Sequence, residues 1–207
     1  AAGVNAMCLS DPAEMYRANV DGAVEVVRAA AAAGVRRVVH TSSAVTMGEA
    51  AGTVATEQTS HRGSYLSHYE RSKHRGEQAV LEEGKRLGVE VVCVNPASVQ
   101  GPGRTAGTAR LLIGYLSGRL RWAVDTTLSL VFVDDCTAAH SLAEERGRAG
   151  ERYLVSGATL TVREALEVLG SVVGEERRVR FLPGWASLAG ATAVGGLWGL
   201  AGRPAPV

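Results

Sequence analysis

Two short apolar runs, each followed by a loop-forming sequence, enclose a long helical segment and restrict the chain to a strand–helix–strand arrangement. The first run, residues 35–40, leads into the polar residues 41–44, and the second, residues 89–94, leads into the Gly- and Pro-rich residues 95–103. Apolar runs of this length between turn residues predict buried strands. Ligands of open α/β sheets bind beyond the carboxyl ends of the strands, so we expect a ligand site at these two loops.

The helix between the strands, predicted over residues 64–87, carries Tyr69 and Lys73 four positions apart and therefore on one face. A free phenol has a pKa of about 10, and a nearby ammonium lowers it by about one to three units. Tyr69 is then able to exchange a proton with a substrate hydroxyl or carbonyl group, while Ser43 holds the substrate oxygen as charge develops on it. An isolated Tyr-x-x-x-Lys pattern is also common on exposed helix faces, and Glu77 is placed to pair with Lys73.

Ser42 and Ser43 follow the first predicted strand side by side. Strand side chains alternate in direction, so only one of the two hydroxyls is expected to face the site, and we assign that role to Ser43. A hydroxyl at this place has an alternative, structural role in capping the turn. Asn19 lies inside a helix predicted over residues 11–33, where a solvent-exposed position is an equally good interpretation.

The second half of the chain predicts further α/β elements. A strand over residues 128–133 leads into Asp134 and Asp135, which we interpret as a helix N-cap and not as catalytic groups, because carboxylates are favoured at the positive end of the helix dipole. The other predicted elements are helices over residues 105–118, 135–146 and 161–173 and a strand over residues 152–156.

Four motifs together resemble the extended short-chain dehydrogenase/reductases, in their order and in their spacing. They are Thr41-Ser42-Ser43-Ala44, Tyr69-x-x-x-Lys73, Asn95-Pro96-x-x-Val99-x-Gly101-Pro102-Gly103 and Phe132-Val133-Asp134-Asp135. Within that family, the sequence is similar to dihydroflavonol-reductase-like and hopanoid-associated sugar epimerase-like proteins, and the similarity runs from residue 1 to about residue 203. The resemblance implies a Rossmann-like doubly wound parallel sheet. Residues 1–103 would be the dinucleotide-binding part, and residues 104–207 a small substrate domain interleaved with the last Rossmann elements at about 128–147.

The resemblance also assigns roles to individual residues. Ser43, Tyr69 and Lys73 would be catalytic, with Lys73 also bonding the nicotinamide ribose, and Asn19 would support a proton relay behind them. The residues implied in cofactor binding are Ala1, Ala2, Thr41, Tyr69, Lys73, Pro96 and Val99. The cofactor would be NAD or NADP. The choice cannot be read, because the residue that recognises the adenosine ribose belongs to the first βαβ unit of the family.

That first unit, with its glycine-rich pyrophosphate loop, has no counterpart in this sequence. Gly196-x-x-Gly199-x-x-Gly202 follows no predicted strand and does not qualify. Ala1-Ala2-Gly3 resembles the end of the family's fourth strand. We therefore expect the functional protein to be longer than the sequence given.

Composition excludes several classes of partner. The net charge of +1 gives no electrostatic case for nucleic acid. The cysteines (Cys8, Cys93 and Cys136) are odd in number and widely spaced, which is typical of reduced thiols in a cytoplasmic enzyme and predicts no metal site. Residues 181–202 have no charged side chain, but their Gly and Ala content and Pro183 disfavour a membrane span and favour a buried or interface helix. A homodimer is a further expectation.

We predict an NAD(P)-dependent oxidoreductase that reduces a ketone or aldehyde, or oxidises a secondary alcohol. A sugar epimerase or dehydratase is the first alternative, although no Arg between Asp125 and Asp135 is available to hold a diphosphate. A non-catalytic relative that binds a cofactor or a partner is the second. Plant flavonoid reductases would have an Asn near Gly48, so a flavonoid substrate is disfavoured.

Overall fold

A computed structural model describes residues 3–5 and 11–183 of the chain. The helices are α1 (Ala13–Tyr16), α2 (Gly22–Ala32), α3 (His68–Leu87), α4 (Thr108–Leu116), α5 (Val133–Arg146) and α6 (Val162–Val173). The strands are β1 (Arg37–Thr41), β2 (Glu90–Pro96), β3 (Ser98–Gln100), β4 (Trp122–Val124), β5 (Thr127–Phe132), β6 (Arg152–Val155), β7 (Ala158–Thr161) and β8 (Arg180–Leu182). The described residues form two compact units, one with residues up to 97 and 134–155, the other with residues 98–133 and 156–183.

The first unit is built on a parallel sheet with the strand order β1-β2-β6. Val91 and Cys93 of β2 pack on one face against Val27 of α2 and Val80 of α3. The neighbouring residues on the other face of β2 pack against α5; these are Val92 and Val94, against Ala143. Burial on both faces explains the unbroken apolar run of β2, and this layering confirms the predicted Rossmann-like α/β class.

Helix α3 has clear signals at both ends. The Ser67 side chain accepts a hydrogen bond from Glu70 N at 3.1 Å, and Gly88 ends the helix with φ 72°. Both are standard helix-terminating arrangements. The helix therefore begins at His68, four residues later than the sequence predicted, and ends where predicted.

The helix predicted over residues 11–33 is observed as a helical run that contains one π-helical turn. A π-helix, Arg17–Asp21, separates α1 from α2, and the Asp11 carboxylate accepts a hydrogen bond from Ala13 N at 2.8 Å at the start of α1. A Cβ atom at Gly76 of α3 would lie only 2.2 Å from the Asn19 carbonyl oxygen. Residues 13–32 are thus helical throughout, close to the predicted bounds, but the π-helical turn and its close approach to α3 were not predicted, because a tertiary contact of this kind is not visible in local sequence.

The second unit contains a β3-β5-β7 sheet and a parallel β4-β8 pair. Its core groups Tyr115, Ala123, Val162 and Leu166. The side chain of Thr161 and that of Glu164 bond each other's backbone N–H groups and form a capping box at the start of α6.

The sequence analysis also made predictions about the acidic pair after β5, the uncharged segment 181–202 and metal binding. Helix α5 begins at Val133, two residues before the predicted start, so Asp134 and Asp135 lie in its first turn, at the positive end of the helix dipole, and do not form the predicted N-cap. Within residues 3–5 and 11–183, no helix is long and apolar enough to cross a membrane, and most of the uncharged segment 181–202 lies outside the described residues. No cluster of three metal-ligating side chains occurs in that same part of the chain, and Cys8 lies outside it.

Candidate active site

Lys73 is held at the carboxyl end of β1. Its Nζ donates a hydrogen bond to the Thr41 carbonyl oxygen at 2.9 Å. Burial lowers the pKa of Lys73 below its ordinary value, and the negative charge of Glu77 opposes that shift. An ammonium has three N–H donors, so the bond to Thr41 leaves Lys73 with donors for a ligand hydroxyl at the end of the strand.

Tyr69 lies one turn before Lys73 on the same face of α3 and is half-buried. The Ser72 hydroxyl donates to the Tyr69 carbonyl oxygen at 2.9 Å and accepts from Asn19 Nδ2 at 3.0 Å. The turn of α3 between the two predicted catalytic side chains is therefore tied to the π-helix. The predicted helix face for the Tyr69/Lys73 pair is formed.

The two serines after β1 differ in burial. Ser42 is 5% exposed and its N–H donates to the Val94 carbonyl oxygen at 2.7 Å. Its hydroxyl is buried without a hydrogen-bond partner among the described residues. Ser43 has extended backbone geometry, is half-buried and precedes a short 3-10 helix, Ala44–Met47. The more accessible hydroxyl is thus that of Ser43, which favours the predicted register.

Glu77 is 2% exposed and lies at the centre of a polar network that the sequence analysis missed. Its Oε2 accepts from Thr46 Oγ1 at 3.0 Å and from Asn95 Nδ2, and its Oε1 lies 3.5 Å from Arg152 Nη1. The suggested ion pair between Glu77 and Lys73 is therefore replaced by one with Arg152. The sequence signal was the position of Glu77 four residues after Lys73, but its partners are distant in sequence.

Asn19 is 4% exposed, which excludes the solvent-exposed interpretation. Its Oδ1 accepts from Val4 N at 2.8 Å, and its Nδ2 donates to Val4 O at 2.9 Å. The carboxamide is thus committed to the Val4 backbone and to Ser72. Its participation in a proton relay stays a prediction.

Two histidines near the end of β1 were not anticipated. The Thr41 hydroxyl lies 2.9 Å from His140 Nε2, and His140 Nδ1 lies 2.7 Å from the Cys136 carbonyl oxygen. A carbonyl only accepts, so we assign the proton to Nδ1, and in the neutral ring Nε2 then accepts from Thr41. Burial, with a smaller contribution from the Lys73 charge, lowers the pKa of His40 to about 4.

The remaining predicted cofactor residues do not all belong to one unit. Pro96 is the last residue of β2 in the first unit, and Val99 is the middle residue of β3 in the second. Ala1 and Ala2 lie outside the described residues. Thr41, Tyr69 and Lys73 all belong to the first unit, where Lys73 is hydrogen-bonded to the Thr41 backbone.

A parallel sheet with helices on both faces and a Tyr/Lys helix at its strand ends defines a dinucleotide-type Rossmann protein. Comparison with known families makes the assignment specific, because the profile of the NAD dependent epimerase/dehydratase family matches residues 1–156. The chain belongs to this family, and the resemblance to extended short-chain dehydrogenase/reductases is confirmed.

Curated relatives include reductases and a sterol-modifying protein. The chain is 35% identical to sterol demethylase protein B of Methylococcus capsulatus over 81% of this chain and 52% of that protein. It is 30% identical to a putative dihydroflavonol 4-reductase of Synechocystis (86% and 54%) and 35% identical to cinnamoyl-CoA reductase 1 of Petunia hybrida (80% and 53%). The chain thus spans about half the length of the curated relatives it matches.

Solved structures share the fold. The crystal structure of gox2253 superposes with a TM-score of 0.83 at 27% identity, covering 98% of this chain and 62% of that one. WbmG of Bordetella bronchiseptica, solved with NAD and UDP, gives a TM-score of 0.73 at 25% identity, covering 88% and 58%. RMD of Pseudomonas aeruginosa, solved with NADPH, gives 0.74 at 24% identity, covering 88% and 68%.

Proposed function

We propose that the protein is an NAD(P)-dependent oxidoreductase that reduces a ketone or aldehyde, or oxidises the corresponding secondary alcohol. The observation that carries this proposal is the Lys73 ammonium fixed by the Thr41 carbonyl oxygen, one helical turn from Tyr69. In this proposal the Lys73 ammonium acts on the Tyr69 phenol at the carboxyl end of a parallel strand, where ligands of this fold bind.

In this mechanism the nicotinamide cofactor supplies or accepts the hydride. On reduction, Tyr69 donates the phenolic proton to the carbonyl oxygen of the substrate, and the positive charge of Lys73 stabilises the resulting phenolate. Ser43 donates a hydrogen bond to the same substrate oxygen while negative charge develops there. The Thr41 carbonyl oxygen orients Lys73, so that its other N–H donors meet the nicotinamide ribose.

The same residues would bind either NAD or NADP, in agreement with the relatives solved with NAD and with NADPH. We propose that the cofactor-binding residues named from the sequence line the nicotinamide end: Ala1, Ala2, Thr41, Tyr69, Lys73, Pro96 and Val99. A homodimer, a cytoplasmic location and the absence of a nucleic-acid partner stay predictions.

The structure offers two arguments on substrate class. Gly48 has φ 56°, and a Cβ there would lie 2.1 Å from the His61 ring, so a larger residue would have to displace that ring where flavonoid reductases would have their Asn. Strand β5 (Thr127–Phe132) carries no Arg to bind a diphosphate. The first argument disfavours a flavonoid. The second favours a small carbonyl or alcohol substrate without a nucleotide group, and makes epimerisation of a nucleotide sugar the second candidate.

The test is a cofactor titration of the purified protein followed by a substrate panel. NADH or NADPH fluorescence measures binding, and NAD(P)H consumption is then followed with aldehydes, ketones and UDP-sugars. Tyr69→Phe should lower turnover by about 100-fold or more, with cofactor affinity nearly unchanged. Full activity in Tyr69→Phe would refute the mechanism. UDP-sugar interconversion without net cofactor consumption would establish the epimerase, and cofactor binding without turnover on any substrate would favour the non-catalytic alternative.

A further inference from the structure

The carboxylate of Glu77 is buried in the first unit, one helical turn beyond Lys73. A buried carboxylate is costly unless it is paired and hydrogen-bonded. Glu77 meets both conditions, through Thr46 and Asn95 on one oxygen and through Arg152 on the other. Its position therefore depends on three elements of the fold besides its own helix.

Two of these partners also hold the backbone of Ser43. The Ser43 carbonyl oxygen accepts from Thr46 N at 3.1 Å, from Thr46 Oγ1 at 2.9 Å and from Asn95 Nδ2 at 3.3 Å. The Thr46 hydroxyl has a single proton, so it is shared between Ser43 and Glu77. Removal of the carboxylate would free both Thr46 and Asn95 to reorient, and the segment that presents Ser43 would lose its support.

Glu77 also adds a negative charge to the surroundings of Lys73. That charge raises the pKa of Lys73 and partly offsets the effect of burial. Arg152, at 3.5 Å, neutralises part of the same charge. The other titratable groups close to Glu77 or Lys73 are His40 on β1, His74 on α3 and Cys93 on β2, and Tyr69 lies one turn before Lys73 on α3.

We propose that Glu77 is a positioning residue of the active site, which fixes the Ser43 segment through Thr46 and Asn95 and adds a negative charge to the surroundings of Lys73. This inference rests on the proposed function of Tyr69 and Lys73. It makes two separable claims, one about charge and one about the position of a backbone segment.

The charge claim is tested by spectrophotometric titration of the Tyr69 phenol, which requires neither cofactor nor substrate. The titration curve of each protein minus that of its Tyr69→Phe counterpart isolates this one phenol. Removing a negative charge lowers the pKa of every neighbouring group, so Glu77→Gln should lower the pKa of Tyr69 by about one unit. For the same reason both limbs of the pH–rate profile should move to lower pH.

Glu83→Gln is the matched control for the charge claim. Glu83 lies on the same helix and pairs with Arg28 and Arg86, so its substitution should leave the Tyr69 titration unchanged. If Glu77→Gln does not fold, Arg152→Gln takes its place. Loss of that positive charge leaves the carboxylate unneutralised and should shift the pKa of Tyr69 upward.

The outcomes distinguish a failure of the proposed function from a failure of the role proposed for Glu77. A wild-type Tyr69 that titrates at its ordinary pKa of about 10 would contradict the proposed function itself. A lowered Tyr69 pKa that Glu77→Gln, or Arg152→Gln in its place, leaves unmoved would overturn the charge role of Glu77 only. Lost activity without that shift would reduce Glu77 to a structural residue.

The position claim is tested with Thr46→Val, which removes the shared hydroxyl and keeps the charge of Glu77. Amide hydrogen exchange of a peptide covering residues 42–48 should become at least several-fold faster in Thr46→Val, while the Tyr69 titration stays that of the wild type. Thr53→Val, whose hydroxyl bonds only Ala50 O among the described residues, is the control. Unchanged exchange in the peptide would contradict the positioning of Ser43 by this network.

Discussion

Gly76→Ala should destabilise the protein although alanine is the better helix former. Alanine gains about 1 kcal/mol over glycine in a helix interior. The new Cβ would lie 2.2 Å from the Asn19 carbonyl oxygen, more than 1 Å closer than an ordinary contact. The obstacle is backbone, so α3 and the π-helix must separate, and overpacking of this kind costs about 1–3 kcal/mol or more.

After the gain in helix propensity is subtracted, we expect a net loss of up to about 2 kcal/mol in the free energy of unfolding, which lowers Tm by up to about 8 °C for a chain of this size. Gly22→Ala is the control, because its Cβ would lie 3.4 Å from the nearest atom, Arg17 O, and it should raise Tm by about 2–3 °C. Calorimetry of both variants measures the difference. A Gly76→Ala protein as stable as Gly22→Ala would refute the close approach of α3 to the π-helix.

Three further predictions concern the site. Lys73→Met should weaken cofactor binding and slow turnover. It should also move the limb of the pH–rate profile that Tyr69 sets to higher pH, because the charge that lowers the phenol pKa is gone. An unchanged profile with normal cofactor affinity would place Lys73 outside the site. Ser43→Ala should lower turnover by about 10-fold or more. Ser42→Ala removes a buried hydroxyl that has no partner among the described residues, so it should change turnover little. The reverse ranking would show that Ser42, not Ser43, faces the substrate. His40 has a folded-state pKa of about 4, below the value of about 6.5 in the unfolded chain, so the folded state binds fewer protons. The contribution of His40 to the free energy of unfolding should therefore be fully present above about pH 6.5 and fall by no more than about 3 kcal/mol as the pH drops to about 4. His40→Gln should flatten this pH dependence in urea unfolding experiments. An equal dependence of the unfolding free energy on pH in both proteins would contradict the buried neutral ring.

The elements that carry the strongest sequence signals were predictable. Strand β2 is apolar on both faces, and α3 has a long helical pattern that ends at a glycine, so both were identified to within a few residues. The short strands β3, β4 and β7, with three or four residues each, are too brief for an alternating pattern to show.

The missed parts of the site depend on contacts between distant residues. The π-helix at Asn19 lies close to Gly76, which is 57 positions later in the sequence. Glu77 gains its role from Thr46, Asn95 and Arg152, which belong to three other elements. A spacing rule identifies Tyr69 and Lys73 because they share a helix, but no such rule relates residues brought together only by the fold.

The segment before α3 gives β6 a shield against unwanted self-association. Among the described residues, β6 pairs only with β2, which leaves its other edge open to another chain. The Arg152 guanidinium donates to the backbone carbonyls of Glu57 and Thr59, each at 3.0 Å. The backbone N–H of Leu154, on the open edge of β6, donates to the Glu57 carboxylate at 3.0 Å. An edge N–H that is already bonded cannot recruit a foreign strand. We therefore expect that shortening this loop would expose the edge of β6 and increase the tendency of the protein to aggregate.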